Sequence, residues 1–106
     1  MPRTEKAIDA AALSGIDRVI HEPARLAIVS VLRAFETADF LFLLKQTGLS
    51  RGNLSSHLSK LEAAGYVDIT KEFVEKIPRT LIRLTGAGRE AIASYRAEMD
   101  RVLGRL

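Results

Sequence analysis

The side chains best placed to do chemistry lie between Ser50 and Lys60, in the run Ser-Arg-Gly-Asn-Leu-Ser-Ser-His-Leu-Ser-Lys. Leu54, Leu58 and Leu61 recur at i, i+4 and i+7, which places them on one face of a helix. At about 100° per residue the opposite face carries Gly52, Ser56, Ser59 and Ala63, flanked by Arg51, Asn53, Ser55 and Lys60. Serine is a weak helix former, and a solvated helix would more usually turn Glu and Lys outward. This face can instead donate hydrogen bonds at close range, to phosphate oxygens through its hydroxyls and to base edges through its longer side chains. Arg51 or Lys60 suits guanine, and Asn53 suits adenine. A serine-rich helix that is merely solvated is the plainer alternative.

Other chemistries fit less well. Ser55, Ser56 and His57 are adjacent, but neighbours on a helix do not face one another, and no carboxylate is placed to orient the imidazole. His57 flanks the leucine stripe, where a partly buried packing role is expected, with a phosphate contact as the alternative. His21, just before Pro23, reads as a neighbour of a helix cap. Two histidines far apart in a chain without cysteine make no metal site. Gly86-Ala87-Gly88-Arg89-Glu90-Ala91 matches a dinucleotide-binding loop in letters, but no strand follows the helix that it opens. No catalytic residue, metal ligand or cofactor is expected, and the chain does not read as an enzyme.

The elements around Ser50 decide how its helix is presented. Asp39 to Thr47 reads as a compact apolar helix ended by Gly48 in the left-handed position. Gly48 and Leu49 alone separate it from Ser50, a good N-cap. Two helices joined through so short a glycine turn form a helix-turn-helix. Downstream, Gly65 closes the second helix. Tyr66 to Thr70 and Thr80 to Leu84 then alternate apolar and polar as half-buried strands do, on either side of a loop containing Pro78. The hairpin is expected to carry Lys76 and Arg79 at its tip as phosphate or minor-groove contacts, though Asp68, Glu72 and Glu75 are interleaved with its cations. A segment near Glu36 to Ala38 is expected to lend a third strand.

Pro23 sits well as the first residue of a helix, and Ala24 to Phe35 is apolar on most sides, as a central core helix should be. Ile8, Ile16 and their neighbours recur at helical spacing before it, weakened at Gly15. From a cap at Thr85, the last helix places Ile92, Tyr95, Met99, Val102 and Leu106 at intervals of 3, 4, 3 and 4, the spacing of a coiled-coil seam. Ile8, Ile16, Ile92, Tyr95, Met99, Val102 and Leu106 are therefore expected to form a homodimer interface.

With 106 residues, 47% of them hydrophobic, the chain can bury one core. One domain is expected over 1–106: a dimerisation helix at 1–20, a DNA-binding core and wing at 21–84, and a second dimerisation helix at 85–106. Sixteen Lys and Arg against thirteen Asp and Glu leave +3, with a pI of about 9.6, so the surplus is modest and its location matters more. The absence of cysteine suits a reducing cytoplasm. Met1 to Ile20 does not read as a signal peptide, and the longest strongly apolar run, Phe40 to Leu44, is far short of the roughly 20 residues that span a bilayer, so no membrane partner is expected.

On these residues the chain resembles the winged-helix transcriptional regulators of the MarR and ArsR group, closest to a small stand-alone branch of winged-helix DNA-binding proteins. The resemblance runs through His-Glu-Pro-Ala-Arg-Leu-Ala-Ile-Val at 21–29. It continues through Gly-Leu-Ser-Arg-Gly-Asn-Leu-Ser-Ser-His-Leu-Ser-Lys-Leu-Glu-Ala-Ala-Gly-Tyr-Val at 48–67 and Pro-Arg-Thr-Leu-Ile-Arg-Leu-Thr-Gly-Ala-Gly-Arg at 78–89. It implies an α+β, mostly helical fold: a winged helix-turn-helix with a two- to three-stranded antiparallel sheet and terminal dimerisation helices. It also implies a cytoplasmic homodimer, usually a repressor, reading double-stranded DNA with Ser50, Arg51, Gly52, Asn53, Ser55, Ser56 and Lys60 in the major groove and Lys76 and Arg79 on the wing. Release by a small-molecule effector is compatible with that scheme, whereas thiol or metal sensing is not. The wing also lacks the glycine and extra arginines often found at its tip. The rival is the same fold used as a protein-interaction module without specific DNA binding.

Overall fold

The computed structural model describes residues 13–104. Its elements are α1 (Pro23–Phe35), β1 (Thr37–Asp39), α2 (Phe40–Thr47), α3 (Arg51–Ala63), β2 (Val67–Val74), β3 (Ile77–Leu84) and α4 (Gly86–Leu103). The strands form one antiparallel sheet in the order β1-β3-β2. The expected third strand is present, and the fold is the helix-turn-helix with a three-stranded wing sheet.

Each helix starts where its cap predicts. Glu22 accepts from the Arg25 amide at 2.8 Å, and Pro23 fills the first turn of α1, where its missing N–H costs nothing. That amide bond holds the Glu22 carboxyl below its usual range. Asp39 caps α2 through the Phe42 amide at 2.7 Å, Ser50 caps α3 through Asn53 at 3.1 Å, and Thr85 caps α4 through Gly88 at 3.0 Å. Ile20, Ile28, Val29, Leu32, Leu43, Leu54, Leu61, Val67, Ile82 and Leu84 are almost fully buried. The core thus sits where α1 crosses α2, α3 and the inner face of the sheet.

The wing departs from expectation. Both strands are longer, and they meet at a two-residue turn, Glu75-Lys76, with φ of 51° and 68°. Positive φ at both positions marks a type I′ hairpin turn, here made without glycine or asparagine. Pro78 lies within β3 opposite Phe73. β3 is the central strand, but β1 reaches only from Arg83 to Leu81, so the outer half of β3 has one free edge. Val74 and Ile77 close the turn as a hydrogen-bonded pair, so Phe73 and Pro78 are a non-hydrogen-bonded one, and the proline ring replaces no ladder bond.

The N-terminal region also differs. Residues 14–22 form turns and bends rather than continuing a helix, and Ile16 and Ile20 are buried in the core. Most of the expected first helix, with Ile8, lies outside the described residues, as does Leu106. Ile16, Ile92, Tyr95 and Val102 are buried within the chain itself, and Met99 is half-buried. The 3-4 spacing expected to serve a homodimer interface packs α4 against its own domain here: Tyr95 receives His21, whose Nδ1 lies 2.7 Å from the phenol oxygen. Among the described residues, no helix is long and apolar enough to cross a membrane.

Candidate nucleic-acid interface

The turn between α2 and α3 is built from local rules. Gly48 caps α2 with φ of 71°, a conformation that disfavours a side chain, and its amide returns to the Leu44 carbonyl at 2.9 Å. Three residues later α3 begins. Its inward stripe of Leu54, Leu58 and Leu61 is buried, which leaves Arg51, Gly52, Asn53, Ser55, Ser56, Ser59 and Lys60 exposed on the other side. The side chains of Arg51, Asn53, Ser55, Ser56, Ser59 and Lys60 take no hydrogen bond or ion pair with other described residues. One helix face therefore holds a dense set of uncommitted donors. Ser50, exposed at the start of this face, accepts from the Asn53 amide as the cap, which leaves its O–H a donor.

Gly52 has no structural need to be glycine. A Cβ built there meets nothing within 4 Å, and its φ is an ordinary helical one. Glycine in a helix costs roughly 0.5–1 kcal/mol against alanine. A backbone left bare in open space, at the start of a donor-rich face, fits a surface that approaches another molecule closely.

The hairpin register sorts charges that look mixed along the sequence. Val67, Ile69, Lys71 and Phe73 lie opposite Leu84, Ile82, Thr80 and Pro78, and all eight belong to the sheet face that carries the core. Asp68, Thr70, Glu72 and Val74, opposite Arg83, Leu81, Arg79 and Ile77, belong to the reverse face. Asp68 accepts from Arg83 at 2.6 Å there. Arg79, expected at the tip, is on that reverse face too, with Asp39 3.7 Å away and Glu72 across the strand pair. The tip itself is Glu75 and Lys76. The register puts Lys71 on the α3 side of the sheet, where it lines an open cleft with Arg51, Ser55, Ser59, Glu62 and Thr80, while Arg79 lines a second cleft with Arg51, Pro78 and Thr80. Sequence reading passed over Lys71, although the parity of the hairpin, once its turn is fixed at 75–76, singles it out.

His57 is partly buried, as expected from its place beside the stripe. Arg25 Nη1 lies 3.2 Å from His57 Nδ1, and the same guanidinium donates to the Val19 carbonyl at 2.6 Å. Arginine has only donors, so Nδ1 accepts and the ring carries its hydrogen on Nε2. The histidine therefore fixes the middle of α3 to the start of α1.

At the other end of α3, Tyr66 donates its hydroxyl to Asp17 at 2.5 Å, while the second Asp17 oxygen accepts from the Val19 and Ile20 amides. The carboxylate bond, with burial adding to it, pushes the Tyr66 phenol up to about 12. The Tyr66 carbonyl accepts from the Thr85 amide at 3.0 Å, and the Thr85 hydroxyl donates to the Gly65 carbonyl at 2.6 Å. Gly88 packs so tightly here that a Cβ would come within 2.3 Å of the Tyr66 carbonyl oxygen. Gly88 of the apparent nucleotide loop is thus a packing device that seats α4 on the base of the wing, whereas a Cβ at Gly86 would meet nothing within 4 Å.

The profile of the winged helix DNA-binding domain family matches residues 24–103, from the second residue of α1 to the end of α4. An uncharacterized protein of Methanocaldococcus jannaschii is 32% identical over 78 residues, covering 74% of this chain and 85% of that protein. Among solved structures, a transcriptional regulator homologue from Pyrococcus horikoshii OT3 superposes with a TM-score of 0.80 at 27% identity, over 90% of this chain and 92% of the other. A MarR-family transcriptional regulator from Silicibacter pomeroyi shares the fold at a TM-score of 0.61 and 23% identity, over 87% of this chain and 64% of that one.

Proposed function

The chain belongs to the winged helix DNA-binding domain family, and on that premise we propose that it is a sequence-specific regulator of transcription. It reads double-stranded DNA as a homodimer, with α3 in the major groove. The observation that carries this reading is the outer face of α3, where six donor-bearing side chains lack internal partners and surround a glycine the fold does not require. Arg51 and Lys60 are the readers of guanine, Asn53 pairs with adenine, and the serines bind phosphate or place the helix. Lys71 and Lys76 supply the wing's phosphate contacts. Arg79 is secondary, because Asp39 already engages its charge.

The homodimer is supported by the end of the molecule remote from the wing. Leu103 remains exposed there at 52%, one helical turn beyond the half-buried Met99. Half-sites one turn of the duplex apart would require the two recognition helices of such a dimer to lie about 34 Å apart. A dimer seated on its operator hides that site from other proteins, so repression is the expected sign of regulation.

A duplex selected from a random pool by the wild-type protein tests this reading. Ser56→Glu puts a carboxylate against the groove and should abolish binding, and the wild-type affinity should fall steeply as salt rises, through counterion release. Equal binding by Ser56→Glu would overturn the assignment of the reading face. Negligible affinity for every duplex would favour a protein-interaction module. Sedimentation at micromolar concentration should give a species twice 11.7 kDa, and a clean monomer would overturn the dimer.

A further inference from the structure

The strand ends that flank the charged turn of the wing are apolar, which is unusual for a hairpin exposed to water on both faces. Phe73 is 75% exposed and Ile77 65%, with Val74 at 43% and Pro78 also exposed. The register puts Phe73 and Pro78 on the face turned toward α3, and Val74 and Ile77 on the reverse. Phe73 lies two residues beyond Lys71, about 7 Å further out along the same face, and Lys71 lines the cleft beside α3.

We propose that this tip is a wedge for duplex DNA, with Phe73 entering the minor groove beside the α3 site and partly unstacking a base step, so that the bound duplex is kinked. The inference rests on the DNA-binding reading above and adds a deformation to it. Three observations select this occupant. The tip is a narrow ribbon with apolar groups on both sides, the shape of β-ribbons that enter a groove, and apolar side chains of this kind unstack base steps. Four residues are far too few for the roughly 800 Å² per partner of a stable protein interface. Lys71 on the α3 face and Lys76 at the turn flank the tip with positive charge, as phosphates on either side of a groove require. Asp68 and Glu72 are kept on the reverse face, and Glu75, in the turn, is the one carboxylate at the extremity.

The experiment uses the full chain and a duplex selected from a random pool by the wild-type protein. Bending is read from the gel mobility of circularly permuted fragments, and unstacking from 2-aminopurine fluorescence at each step outside the α3 contacts. Wild type should bend the duplex by an angle on the order of 20–90° and brighten one or two adjacent steps. Phe73→Ala should lose most of the bend and all of the brightening, and bind about tenfold more weakly. Phe73 is exposed, so the variant should melt at the wild-type temperature. Wild-type binding with a straight duplex, or an unchanged bend in Phe73→Ala, would overturn the wedge while leaving DNA recognition intact. A Phe73→Ala protein that changes its sedimentation instead would assign the tip to contact between copies, and overturn the wedge as well. Failure of wild type to select any duplex would strike the DNA-binding reading itself.

Discussion

Arg25 and His57 are joined across 32 positions of sequence: a guanidinium nitrogen of α1 lies 3.2 Å from the imidazole Nδ1 of α3. The same arginine also holds the Val19 carbonyl at 2.6 Å. One charged side chain thus ties together the segment before α1, the start of α1 and the middle of the reading helix. Arg25→Ala should lower stability by about 1.5–3 kcal/mol, the range for hydrogen bonds to a charged group. Urea unfolding checks this. An unchanged midpoint would mean that the leucine stripe alone holds α3.

Gly52 and Gly88 should respond in opposite ways to the same substitution. Gly52→Ala adds a methyl group in open space on a helix, so the protein should gain up to about 0.5–1 kcal/mol while its affinity for the selected duplex falls. Gly88→Ala forces a Cβ onto the Tyr66 carbonyl and the Leu84 side chain, and should cost about 1–3 kcal/mol or more. Thermal unfolding and a gel shift on both variants measure all of this. A Gly52→Ala protein that binds as tightly as wild type would remove the argument for close backbone approach.

Lys71 and Arg79 should separate by salt dependence. Each phosphate contact contributes about 0.9 to the slope of log K against log salt. Lys71→Ala should therefore flatten the slope by nearly one unit. Arg79→Ala should change it by much less, since Asp39 lies 3.7 Å from its guanidinium. The reverse order would place the reverse face of the wing on the duplex.

Tyr66 should give the fold an alkaline limit. Its phenol is raised from the ordinary 10 to about 12, first by the bond to Asp17 and then by burial. Folding therefore favours the neutral phenol. Its contribution is complete below pH 10 and is lost as pH rises through the folded value. Tyr66→Phe should cost about 1–2 kcal/mol at neutral pH, and should remove this part of the pH slope. Urea unfolding of both proteins from neutral pH to about pH 11 decides it. Parallel slopes would show that some other group sets the limit.

The reading helix was legible because its signals are local and mutually consistent. A glycine turn, a serine cap and leucines at helical spacing all belong to the same thirteen residues and their flanks. The wing was legible only at its base. Its turn uses Glu75 and Lys76 in left-handed conformations that sequence associates with glycine or asparagine, so the strands seemed to stop early and Pro78 seemed to lie in a loop. The error moved Arg79 to the tip and hid Lys71, because a hairpin's turn fixes which residues share a face. In α4, the spacing of Ile92, Tyr95, Met99 and Val102 is the same whether the partner is another copy or the chain itself. Only the position of α1 and the segment before it shows that much of that surface is already covered.

The seat of Gly88 on Tyr66 has a mechanical consequence. With no gap between them, and with Thr85 bonded to both Gly65 and Tyr66, α4 cannot pivot independently of the corner where α3 passes into the wing. A displacement of α4 that loosened its packing along Ile92, Tyr95 and Val102 would therefore have to turn the reading helix and the hairpin with it.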